Sequence, residues 1–213
     1  TAPIFVPPHA MNLELPFQQS AIAGDEMHVM WCIPPDQVSI AITTAKRMGV
    51  TLNAVFLGTL ATLLHQQSGQ VALAIQQTYL GRGVDELEQV GSFSDSIPMV
   101  FGFEDCPSLL SVCQHVMHVT GKHMQMAEAG YPSGNDEIPT VGYELNDLRP
   151  IPSPKRQEGV AKRRNPKLFD LFFLINRYAD GYAHVVIYDG GKFDVSGVQP
   201  FVEKWMQMWM GEP

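Results

Sequence analysis

Hydrophobic and polar positions along this chain switch between a period of two and a period near 3.6, and the switches set the expected elements. Residues 26–33 alternate and read as a strand that Pro34-Pro35 stops. From about 36 to 48, Val38, Ile42, Ala45 and Met48 recur at helical spacing and make one apolar face. Gly49 follows where a left-handed cap is wanted. Thr51 then reads as the N-cap of a second helix through about 67. Val55, Leu57, Leu60, Ala61 and Leu64 leave this helix apolar around most of its circumference, which predicts a central position. Residues 71–79 and 96–104 read as strands. The longest helical pattern spans 105–129, carried by Leu109, Leu110, Val112, Cys113, Val116, Met117 and Val119 and weakened by Gly121. After turn chemistry at 130–135 comes a short strand at 140–145. Residues 168–176 and 182–188 form a hairpin around Asp180-Gly181. Asp194 caps a last helix to about 210, with Val198, Phe201, Val202, Trp205 and Trp209 on one side. Strands and helices interleave throughout, so the expected class is α/β, an α+β layered domain built on a mixed sheet packed by helices.

Three stretches fall outside this periodic pattern. Residues 1–20 carry Pro3, Pro7, Pro8 and Pro16 without periodicity and read as an extended Pro-rich linker before a domain at 21–213. Between the strands on either side of 78–101 lies a Gly-hinged loop with Gly81, Arg82, Gly83 and Gly91 and a short acidic helical turn at 84–88. Loops held on a rigid scaffold are where binding walls are usually built. Residues 147–167 gather seven of the chain's 14 Lys and Arg among four prolines, which reads as a mobile basic loop.

The 213 residues suffice for one good-sized core, and 45% hydrophobic with 17% charged residues is a globular composition. A formal charge of −8 argues against a nucleic-acid or anionic-membrane binder. Cys32, Cys106 and Cys113 are odd in number and lack CxxC spacing, as expected of reduced thiols in a cytoplasmic protein. The apolar helix at 52–64 is too short to span a bilayer, and no basic segment of a signal peptide precedes it.

Candidate chemistry is sparse. HVVIYDG (184–190) invites comparison with the HHxxxDG of acyltransferases, in which a histidine serves as general base. Here Ala183 stands in place of the first histidine, and four residues rather than three separate His184 from Asp189. An odd offset of five on a strand points the two side chains to opposite faces, so an ordinary strand histidine is the favoured reading. His115, His118 and His123 share a helix, but a metal site there lacks the usual carboxylate or thiolate partners apart from Cys113, and a partly exposed polar face is favoured; no metal is expected. No GxSxG elbow, P-loop or GxGxxG occurs, and a Cys–His pair has no local signature. The basic loop reads first as a solvated surface segment and second as a contact for an acidic partner.

Taken in order, these pieces resemble the C-terminal lobe of a condensation domain from nonribosomal peptide synthetases, in the chloramphenicol acetyltransferase-like superfamily. The match runs from near Asp25 to about Met210: MHVMWCIPPDQVSIAITTAKRMGVTLNAVFLGTLATLLHQQSG, then LGRGVDELEQVGSFSDSIPMV, then LFDLFFLINRYADGYAHVVIYDGGKFDVSGVQPFVEKWMQM. The resemblance implies half of that two-lobed fold, truncated and degenerate. The family's active-site HHxxxDG belongs to the other, N-terminal lobe. Asp95 stands where the family usually has Asn, and Val100 where it usually has Arg.

By the same resemblance, Gly81, Arg82, Gly91, Phe93 and Asp95 belong to a loop that floors a tunnel between the lobes. The phosphopantetheine arms of carrier proteins enter that tunnel, and 147–167 falls where the family sends a latch toward the other lobe. No directly bound cofactor is expected. Partners would be the adenylation and peptidyl carrier domains of the same synthetase, and an N-terminal lobe if one exists. The expected role is a lobe that is not catalytic by itself, a structural platform for those neighbours. The alternative is the C-terminal half of an amide-forming condensation domain, completed by a separate histidine-bearing lobe. A third reading, an oligomeric acyltransferase, uses His184 with Asp189.

Overall fold

Local signals open the fold where the sequence places them. Gly49 follows α2 (Pro35–Met48) with φ 67°, in the left-handed region that an L side chain disfavours, and its N–H reaches the carbonyl of Lys46 at 3.2 Å. Two residues on, the Thr51 hydroxyl accepts from the Ala54 N–H at 3.1 Å and caps α3 (Leu52–Ser68). The two helices meet at 93°. Ten residues between Ala54 and Leu64 are buried, so α3 is the central helix its all-round apolarity predicts. In α2 the inward face is Val38, Ala41 and Ala45, whereas Ile42, expected on that face, is 37% exposed. Both sets fit helical spacing; the small Ala41 lets α2 sit close to its neighbours.

The computed structural model describes residues 8–19, 24–80, 94–104, 108–128, 139–151, 159–163, 169–179 and 181–210. Within them the further elements are α1 (Pro8–Met11), β1 (Glu26–Ile33), β2 (Ala72–Leu80), β3 (Ser94–Gly102), α4 (Leu109–Glu128), β4 (Val141–Ile151), β5 (Gly159–Arg163), β6 (Leu171–Tyr178), β7 (Gly181–Asp189) and α5 (Val195–Met210). The strands form one seven-stranded mixed sheet in the order β3-β2-β4-β6-β7-β1-β5. The central β2, β4 and β6 run parallel, and the remaining neighbours pair antiparallel. The class is α/β, as expected.

Alternation splits the sheet into two unlike faces. One face carries Val29 and Ile33, Leu73 and Ile75, Met99 and Phe101, Tyr143, Phe173 and Ile175, and Val186 and Tyr188, all in one core with α2, α3, α4 and α5. Trp205 and Trp209 of α5 are fully buried there, as core anchors. The Trp205 indole N–H donates to the Thr59 hydroxyl at 2.9 Å and to the Phe56 carbonyl at 3.1 Å, which ties α5 to α3. Asp194 caps α5 by accepting from the Gly197 N–H at 3.0 Å.

Two expectations change. The mobile basic loop at 147–167 is in part sheet: β4 continues to Ile151, and β5 pairs antiparallel with β1, Met30 opposite Gly159 through Glu26 opposite Arg163. The edge of β1 offers unpaired backbone groups, and this pairing satisfies them. The hairpin turn also shifts by one residue. Tyr178 pairs with Gly181, so Gly181 belongs to β7, with φ 135° and the Ile33 carbonyl where a Cβ would sit.

Residues 8–19, expected as an extended linker, are docked on the body. Ala10 and Met11 are buried against Ala74, Leu15 is 5% exposed, and the Phe17 ring packs 5.6 Å from that of Phe201.

Candidate functional site

The sheet face opposite the large helices carries half-buried apolar side chains among the described residues. Pairing register lines its side chains into rows. Gly142, Phe172, Ile187 and His28 form the first; Glu144, Leu174, Val185 and Met30 the second; Asn146, Asn176, Ala183 and Cys32 the third. Two observations confirm the shared face. A Cβ on Gly142 would lie 2.5 Å from Phe172 Cδ2, and Asn146 Nδ2 donates to Asn176 Oδ1 at 2.9 Å. Phe169 stacks on Phe172 with ring centroids 5.2 Å apart. Phe172, Leu174, Val185, Ile187 and Met30 are only half-buried. The sequence signal for this face was present: LFFL and HVVIY are apolar at both parities, the mark of a strand expected to be covered on both sides.

The candidate catalytic pair is not brought together. His184 and Asp189 lie on opposite faces of β7, about 16 Å apart along the strand. His184 is fully buried, its ring 4.3 Å from Trp205 in an edge-on contact and about 6 Å from Trp31 and Phe173. Neither ring nitrogen has a hydrogen-bond partner among the described residues. Burial without a counter-charge pushes its pKa down to about 3, so the ring is neutral. Asp189 Oδ1 accepts from the Gly24 N–H at 2.7 Å and the Gly191 N–H at 2.8 Å, which fixes the turn after β7.

The other candidates are likewise structural. His115 holds the Val100 carbonyl at 2.8 Å through Nε2, and His118 is exposed. The side chain of His123 lies outside the described residues, among which no group of three metal-binding side chains occurs. Cys113 is buried, and desolvation raises its thiol to about 12; Cys32 sits on the open face with His28 four residues away, about 13 Å. Cys106 lies outside the described residues.

The expected tunnel-floor residues Gly81, Arg82, Gly91 and Phe93 also lie outside the described residues. Asp95 is in β3, opposite Tyr79. A phosphopantetheine arm would need a cation for its phosphate. Two described cations near strand ends are committed elsewhere: Arg177 Nη1 lies 3.6 Å from Asp147 Oδ1, and Lys192 Nζ lies 2.7 Å from Asp170 Oδ2.

Sequence reasoning missed a polar cluster at the carboxyl ends of the central strands. The Tyr182 hydroxyl donates to Asp147, which also pairs with Arg177, and burial with this bond raises the tyrosine pKa. Beside it, the Tyr143 hydroxyl donates to Asn53 Oδ1 at 3.1 Å. These residues join β4, β6, β7 and α3 at long sequence separations, which a local pattern does not reveal. No single helix among the described residues is long and apolar enough to cross a membrane.

No family model matches the chain, and no curated protein does. Solved structures do. The epimerization domain from the third module of tyrocidine synthetase B is similar over 96% of this chain and 52% of its own, at 12% identity and a TM-score of 0.68. The first condensation domain of the CDA synthetase is similar over 93% and 46%, at 14% identity and 0.67. The X-domain from teicoplanin biosynthesis, solved in complex with OxyB, is similar over 94% and 49%, at 16% identity and 0.67. The chain spans about half the length of these structures and shares the fold of the part that it covers.

Proposed function

We propose that this chain is a non-catalytic condensation-domain lobe that serves as a structural platform for the adenylation and carrier domains of a peptide synthetase. The burial of His184 carries the reading. A general base must reach the substrate proton and have a pKa near the working pH. His184 is enclosed by Trp31, Phe173 and Trp205 and is held neutral, and Asp189 is spent on backbone amides.

The position of β5 adds support. Residues 159–163 fall where the family resemblance sends a latch to a second lobe, and here they pair with β1 of the same sheet. The teicoplanin X-domain, of the same architecture, was solved bound to another protein, which is a precedent for binding by this fold.

A second reading rests on the open face. The half-buried Phe172, Leu174, Val185 and Ile187 form an apolar patch that a separate histidine-bearing lobe would cover, completing an amide-forming condensation domain. Binding separates the two. The purified chain is titrated with an adenylation–carrier didomain and, separately, with a histidine-bearing N-terminal lobe, and complexes are read by light scattering. The platform reading expects a complex with the didomain. No didomain complex at about 0.1 mM of each partner, together with a lobe complex that Val185→Asp abolishes, would replace it with the second reading.

A further inference from the structure

Three neighbouring strands of the sheet, β2, β4 and β6, run parallel. Sheets of parallel strands are characteristically covered on both faces, and the usual cover is a helix. Here α2, α3, α4 and α5 pack on one face. On the other, the described helix that docks is the single turn α1, with Ala10 and Met11 against Ala74 at the β2 end.

Amid the half-buried apolar side chains of this second face stands a carboxylate. Pairing register places Glu144 in the row Thr78, Glu144, Leu174, Val185 and Met30, all five of them half-buried. Among the described residues, Glu144 takes part in no hydrogen bond or ion pair. Its neighbour two residues along β4, Asn146, donates instead to Asn176 at 2.9 Å. Arg177 of β6 belongs to the opposite face and pairs with Asp147. A carboxylate held partly out of water without a partner loses hydration that nothing returns. A cation carried in by a covering element would return it as a charge-assisted hydrogen bond.

We propose that this face is a docking site for an amphipathic helix of another protein whose apolar stripe carries one Arg or Lys, the cation seating on Glu144. Leu174, Val185 and Met30 take the apolar side chains beside it, and the charge fixes which helix is accepted and in what register. A broad sheet face suits a helix better than a small molecule, for which concave pockets are the usual site. The inference rests on the open face being a partner surface, as the second reading does. Its test uses peptides and not the histidine-bearing lobe, so the two fail separately.

The full 213-residue chain is titrated with a fluorescein-labelled helical peptide of about 18 residues, with leucines at helical spacing and one arginine in the middle of that stripe. Binding is read by anisotropy. An isomer with the arginine moved to the polar face has the same net charge, so it controls for attraction to an acidic protein; it should bind about tenfold more weakly. Glu144→Gln, which keeps the side-chain shape, should weaken the first peptide by a similar factor and leave the isomer unchanged. Glu144→Lys should prefer a peptide with glutamate in place of the arginine. In the unaltered chain, the first peptide should slow iodoacetamide labelling of Cys32, which lies on the same face one row along, and this readout needs no variant to fold. The proposal is overturned by no binding of the first peptide at about 0.5 mM, by equal binding of the isomer, by undiminished binding to Glu144→Gln, or by Cys32 labelling that the peptide leaves unchanged.

Discussion

Replacing His184 with phenylalanine tests the burial of this histidine in the core. In an unfolded chain a histidine titrates near 6.5, whereas burial among Trp31, Phe173 and Trp205 holds His184 at about 3. The folded pKa is the lower one, so between these values the unfolded state binds the extra proton. Stability is therefore complete above about pH 6.5 and is lost as pH falls toward 3. From the two pKa values, this residue alone removes about 2 kcal/mol by pH 5 and roughly 4 kcal/mol by pH 3. At neutral pH, His184→Phe removes two buried nitrogens with no hydrogen-bond partner, a gain on the order of 1–3 kcal/mol. It adds ring volume to a filled site, a cost of similar size. The variant should thus match the parent within about 1 kcal/mol at pH 7.5 and keep about 2 kcal/mol that the parent loses at pH 5. Urea unfolding at both pH values measures this, and the difference between the proteins cancels the other titrating groups. Equal acid losses in the two proteins would refute a buried, neutral His184.

Other positions give sharp outcomes. A Cβ at Gly58 would lie 2.6 Å from Cys113 Sγ and 3.3 Å from its Cα, so Gly58→Ala should cost about 1–3 kcal/mol in denaturant unfolding by forcing α3 from α4. Part of that loss should return in the double variant with Cys113→Ala, a coupling that independent sites would not show. Trp205→Phe removes the indole N–H that donates to the Thr59 hydroxyl and the Phe56 carbonyl and shrinks a fully buried ring, and should lower stability by about 1–3 kcal/mol. Iodoacetamide at pH 8 should label Cys32 in the native protein and leave Cys113 unlabelled until urea unfolds the chain, as peptide mass mapping would read.

What was legible in the sequence was local. The Thr51 cap, the left-handed Gly49, the all-apolar α3 and the inward face of α5 each follow from residues within a turn or two of one another. What was missed depends on distant parts of the chain. Ile42 and Ala41 fit the same helical face, and only the crossing of α2 with its neighbours decides that Ala41 turns inward. The prolines around 147–167 read as loop because nothing local announces that β1 has an edge to be paired. Residues 8–19 dock because Gly197 leaves room for the Phe17 ring, whose atoms lie 2.8 Å from where a Cβ would stand. For the candidate site, alternation alone placed His184 and Asp189 on opposite faces. The aromatic enclosure of His184 required Trp31 and Trp205, which lie on other elements far away in sequence.

His184, the candidate base on β7, is sealed in the core. The central claim, a platform without its own chemistry, is tested most directly by offering the purified chain a carrier-bound donor and a carrier-bound acceptor and following amide formation by intact mass. No product above the rate without protein is predicted, and His184→Phe should leave that result unchanged. Amide product formed by the chain alone, and abolished by His184→Phe, would contradict it.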